Sequence, residues 1–155
     1  MSCISRIAAV TLCAFAFVAP SFCADATDKE ATAMVEKAVK FAKANGKEKA
    51  FAMFQDSTSE FVKGELYVFV YDTAGTCLAH GQKPKLVGKN RIDVEDVNGK
   101  KYIKELVDLG KSKGSGWVEY LFQNPESKKI EPKKTFLKIV EGQGFFICCG
   151  IYNKK

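Results

Sequence analysis

The sequence has little of what metal enzymes and membrane-embedded chains rely on. Among 155 residues there is one histidine, His80, one tryptophan, Trp117, and four prolines. There is no C-x-x-C-H run, so covalent haem has no attachment point. Asp93, Glu95 and Asp96 lie close together, but their spacing is not that of an EF-hand loop and lysines follow Asn98-Gly99. Metal is therefore disfavoured, and Asp96 or Asn98 is expected to cap the helix that follows. No nucleotide motif is present, and no cofactor is expected. No serine can be tied to His80 by motif. Cys77, three residues before His80, is expected on the opposite face of the same strand, which argues against a thiol–histidine pair. The longest apolar run is roughly 13 residues, short of the ~20 that a membrane-spanning helix needs.

That run sits at the start. Met1 to Arg6 is a short positive segment, Ile7 to Ala19 is apolar, and Ala24-Asp25-Ala26 is an A-x-A cleavage signal. Residues 1–26 thus read as a signal peptide and 27–155 as one domain, periplasmic or secreted and without a transmembrane segment after cleavage. The 46% hydrophobic content suffices for one real core. Of six cysteines, Cys77, Cys148 and Cys149 remain in the mature chain. An exported compartment permits a disulfide, and Cys77 with Cys148 or Cys149 is the candidate pairing; the alternative is three small buried hydrophobes. The net charge is +6, but the lysines are dispersed among Glu and Asp. This pattern describes a solvated surface rather than a nucleic-acid track, with some preference for anions.

Residues 28–45 place Ala31, Met34, Val35, Ala38, Val39, Phe41 and Ala42 on one stripe at helical spacing, with Thr27 as N-cap and Asn45-Gly46 as stop. A shorter helical segment runs from Lys47 to Gln55. Leu66 to Tyr71 is apolar, β-branched or aromatic throughout, which suits a strand covered on both faces. Tyr67, Phe69 and Tyr71 share one face of it. Asp72 to Gly75 is a turn, and Thr76 to Ala79 returns to end at His80. A helix follows near residues 101–111, then strands at Trp117–Phe122, Lys134–Val140 and Phe145–Tyr152. The order predicts an α+β fold with a five-stranded antiparallel sheet, a long N-terminal helix and flanking helices.

Several segments in order carry a resemblance. Asn45-Gly46-Lys47-Glu48-Lys49-Ala50, Leu66 to Asp72, Leu78-Ala79-His80, Leu86 to Asn90, Asp96 to Lys100, Gly116 to Tyr120, Pro132-Lys133-Lys134-Thr135 and Gly150-Ile151-Tyr152 are similar to the single Cache domain of type 2. That family is the PAS-like extracytoplasmic sensor module of bacterial chemoreceptors and histidine kinases. The resemblance implies a pocket beside the sheet for a small organic anion, often a short carboxylate, with roles in signal transduction and chemotaxis. It also marks two departures. His80 is followed by Gly81 where the family usually has Pro, and no membrane helix or output module is seen after the domain.

Given such a guest, the donors are expected from His80, Tyr71, Tyr120 and Lys134, with Trp117 as an apolar wall. Strand parity puts Trp117 and Tyr120 on opposite faces, so at most one lines the pocket, and Tyr120 is favoured. Each residue also has a plainer role: His80 as a satisfied strand end, Trp117 as a core ring, Lys134 as a surface lysine. The expected function is a non-enzymatic, soluble ligand-capture or signalling module that presents its ligand to a membrane receptor, kinase or transporter. The alternatives are a structural or protein-interaction domain with a filled pocket, or a hydrolase using His80.

Overall fold

A long helix, α1 (Asp28–Asn45), opens the domain in the computed structural model, which describes residues 26–153. The leader expected over residues 1–26 lies, but for Ala26, outside the described residues. At the start of α1, Thr27 and Glu30 form a reciprocal capping box, which satisfies two backbone donors that the first turn leaves open. Its stripe of Ala31, Met34, Val35, Ala38, Val39 and Ala42 is buried, and the three alanines let the helix sit close on the sheet. Gly46, at φ 80°, ends α1 and begins α2 (Lys47–Gln55). That left-handed backbone is one an L side chain adopts only under strain.

The strands are β1 (Val62–Lys63), β2 (Leu66–Asp72), β3 (Cys77–His80), β4 (Ser115–Gln123), β5 (Ile130–Val140) and β6 (Phe145–Tyr152). They pair antiparallel in the order β1-β2-β6-β5-β4, and β3 joins β2. The five expected strands are present, with the two-residue β1 added. Helix α3 (Tyr102–Lys113) covers the other face. Its N-cap is Lys101, without a side-chain cap. The expected cap, Asp96, instead accepts the backbone N–H groups of Asn98, Lys100 and Leu121, which ties the loop before α3 to strand β4.

The sheet therefore separates two cores. Leu66, Val68 and Val70 face α1 and α2, where Phe54 and Phe61 meet edge to face at 4.9 Å. Tyr67, Phe69 and Tyr71 face α3 together with Tyr120 and Tyr152. Gly81 is buried beside the end of β3 and donates its N–H to Val68 O at 3.0 Å, a bond proline could not make.

The disulfide expectation is corrected here. Cys77, Cys148 and Cys149 are buried free thiols. Cys77 on β3 and Cys148 on β6 flank β2 from its two sides. Two strand spacings come to roughly 10 Å, beyond the ~7 Å Cα separation a disulfide spans. Cys149 belongs to the opposite core.

Candidate ligand site on the ring face

The site is built where β2, β3, β4 and β5 meet α3. Tyr71, His80 and Tyr120 converge there on a small hollow whose lining also includes Phe69, Tyr102, Phe122 and Lys133. Three of the five expected residues are thus brought together. Trp117 and Lys134 are not. They lie on the other face, where the Lys134 ammonium pairs with Asp28 and sits 4.5 Å from the Trp117 ring. Tyr120 pairs with Lys133 across the β4–β5 ladder, so the lysine that shares its face is Lys133.

Lys133 is 1% exposed. Its Nζ donates to Tyr67 Oη at 2.7 Å and lies 4.1 Å from the Tyr67 ring, 4.9 Å from that of Tyr152 and 5.3 Å from that of Phe122. Among the described residues it has no ion-pair partner. Burial disfavours its charged form and pushes its pKa down to about 7.

His80 is 3% exposed and lies between Tyr67 and Phe69, its ring stacked on that of Phe69. Its Nδ1 accepts the backbone N–H groups of Gln82 and Lys83, at 3.2 and 3.0 Å. The ring proton is therefore on Nε2, and the imidazole is a donor to anything beside it. Burial, then the positive charge of Lys133, holds its pKa well below the ordinary histidine value.

Arg91 is a further cation that sequence reasoning did not single out. Residues 88–91 run alongside the β2–β3 hairpin, where Gly88 N bonds Cys77 O, Cys77 N bonds Lys89 O and Arg91 N bonds Gly75 O. This run fixes the start of the Arg91 side chain, whose Nη2 donates to Tyr102 Oη at 2.8 Å. Its Nε is buried with no hydrogen-bond partner among the described residues. Tyr102 in turn stacks on Tyr120 at 4.4 Å, and Tyr120 Oη bonds Thr135 Oγ1.

One expectation about catalysis, the opposite facing of Cys77 and His80, is corrected by the geometry. The β2–β3 ladder slips between Val70 and Tyr71, so Cys77 and His80 pair with Tyr71 and Phe69 and fall on one face after all. They still make no nucleophile and base. Burial raises the Cys77 thiol to about 11, and the thiol donates to Ala79 O. The residues Gly110-Lys111-Ser112-Lys113-Gly114 do spell a G-x-S-x-G pattern. They occupy the end of α3 rather than a strand-to-helix turn, and Ser112 Oγ bonds Asp108 O at 2.7 Å.

The hollow is tight, with about 10 Å³ open to a water-sized sphere. That volume admits about one water. A larger dent of about 320 Å³ lies beside β4 and β5, lined by Asp96, Lys100 and Glu119 and sharing Tyr120 and Lys133 with the hollow. In it Asp96 is held by three backbone donors and Lys100 by Glu105 and the Glu119 carbonyl.

A family model described as single Cache domain 2 matches residues 25–155. The chain belongs to the single Cache domain family. Among curated relatives, the sensor histidine kinase MctS of Rhizobium johnstonii is 31% identical over 86 residues, 56% of this chain and 18% of the kinase. This Cache chain therefore spans less than a fifth of that relative. Its fold is shared with a methyl-accepting chemotaxis protein of Vibrio parahaemolyticus, at a TM-score of 0.71 and 24% identity over 80% of this chain and 86% of the other. It is shared too with a Cache chemosensory domain solved for its carboxylic acid recognition, at 0.70 and 21% identity over 81% and 92%. The PAS-like sheet and the sensor-domain family are thus established, and no described helix is long and apolar enough to cross a membrane.

Proposed function

We propose that this Cache domain binds a short organic anion, foremost a monocarboxylate, on the ring face of its sheet, and acts outside the cytoplasm without catalysing a reaction. The observation that carries the reading is Lys133. An ammonium enclosed by aromatic rings with no ion-pair partner among the described residues weakens the unliganded fold, and an anion in the hollow supplies a close opposite charge. His80 Nε2–H and the hydroxyls of Tyr71 and Tyr120 are the neutral donors, and Arg91 is the second cation. In place of the expected Lys134, the reading assigns the role to Lys133. Admission of even a small acid requires the Tyr102 and Phe122 rings to move outward, because the closed hollow is water-sized. Removal of a leader over residues 1–26 would release the domain as a soluble module, with a membrane receptor, kinase or transporter as its partner.

The test is thermal unfolding of the purified protein against a panel of short carboxylates and other small anions. Stabilisation should grow with ligand concentration as binding to the native state requires. A flat response across the panel at millimolar concentration would favour the second reading, a structural or protein-interaction domain whose pocket is filled by its own side chains. The tightness of the hollow is the observation on that side.

A further inference from the structure

Beside the hollow lies an open groove of about 220 Å³, and two unusual features of the described surface meet in it. Val97 and Ile130 are the exposed large hydrophobics of the described residues, at 70% and 51%, and both line this groove. So does Arg91, whose Nε is the described buried side-chain nitrogen without a partner. Tyr102 and Phe122 line both the groove and the hollow, so they form the wall between them. On the groove side, Lys83 lies 4.3 Å from the Phe122 ring and donates to Gln123 Oε1.

We infer that the ligand is an amphiphilic monocarboxylate, with its head in the hollow at Lys133 and an apolar tail of several carbons in the groove against Leu121, Val97 and Ile130. This rests on the proposed anion site and adds the chemistry of the rest of the molecule. The hollow adjoins the groove across Tyr102 and Phe122 and adjoins the larger dent across Tyr120 and Lys133; the dent is lined mostly by polar and charged residues, so an apolar substituent is better matched on the groove side. The groove is smaller than the ~300–1,000 Å³ of drug-sized pockets, which fits a medium chain better than a long lipid. Glu95 and Asp96 line it together with Lys83 and Arg91, so its charges balance; a second carboxylate on the guest gains no net charge there and loses the apolar contact, which favours monoacids.

Titration calorimetry of the protein with propionate, hexanoate, octanoate and succinate tests this, alongside a Val97→Ser/Ile130→Ser double variant. Both substituted side chains are exposed, so the fold should tolerate the change. Affinity should rise by up to roughly fourfold per methylene from propionate to octanoate. The double variant should lose most of that rise while binding propionate as before, and succinate should bind less well than hexanoate. Equal affinity for propionate and octanoate, or a rise that survives the double variant, would overturn the inference and leave the anion site standing. Binding of none of the acids would overturn both. Self-association lost in the double variant would assign the apolar pair to contact between copies and also overturn it.

Discussion

Lys133 and Lys134 are neighbours in sequence and opposites in circumstance. Lys134 points to the α1 face, where Asp28 neutralises it and water reaches it. Lys133 points to the ring face, where rings enclose it and it makes no ion pair among the described residues, although the charge of Glu65 acts on it. The same division holds for the whole sheet. The α1 face is packed with alanines, valines and phenylalanines that need nothing further, whereas the ring face gathers hydroxyls, an imidazole and two cations. Both faces bury a core, and the ring face alone adds the polar groups proposed to hold a guest.

The comparison can be broken most forcefully by emptying the packed side. Phe54→Ala removes a fully buried ring and should cost about 3–5 kcal/mol in denaturant unfolding, with the ranking of anions unchanged. A change in that ranking would show that the two faces are not independent. Lys133→Met should act in the other direction: near pH 6 the unliganded protein gains on the order of 2 kcal/mol, and stabilisation by carboxylates disappears. If the variant is less stable and still responds to anions, the ammonium is not the anchor.

The pH profile sharpens the same contrast. Because the folded Lys133 pKa, about 7, lies below its unfolded value, the unfolded chain holds more protons between the two. Unliganded stability should therefore rise from pH 7 towards pH 10, by at most about 1.4 kcal/mol per pH unit, while carboxylate affinity falls over the same window. Below pH 7 this lysine is charged in both states and contributes no further slope. A profile unchanged by Lys133→Met would locate the titration elsewhere. The smallest effect belongs to Lys134→Met, which breaks a partly exposed ion pair and should cost no more than about 1 kcal/mol, with anion binding intact.

Much of this division is legible from strand parity. The alternation in Leu66 to Tyr71 separates the two cores, and the spacing of Trp117 and Tyr120 puts one of them in each, as expected. Parity within β5 alone does not tell Lys133 from Lys134, because residues on both faces of that strand are covered. The choice depends on the pairing of Tyr120 with Lys133, which is set by the connection between β4 and β5. Arg91 was hidden for a related reason. Its place comes from backbone bonds to Gly75 and its neighbours, in a loop with no hydrophobic period to read. The slip at Val70 and Tyr71 likewise has no signature in residue type, and it reverses the expected facing of Cys77 and His80.

The two peptide N–H groups held by His80 Nδ1 have one more effect. Protonating that nitrogen would forfeit both at once, in a setting already hostile to added charge. The only imidazole in the chain is thereby kept neutral as the pH falls into the mildly acidic range. Any pH dependence of the proposed binding would then belong to Lys133 and not to this ring.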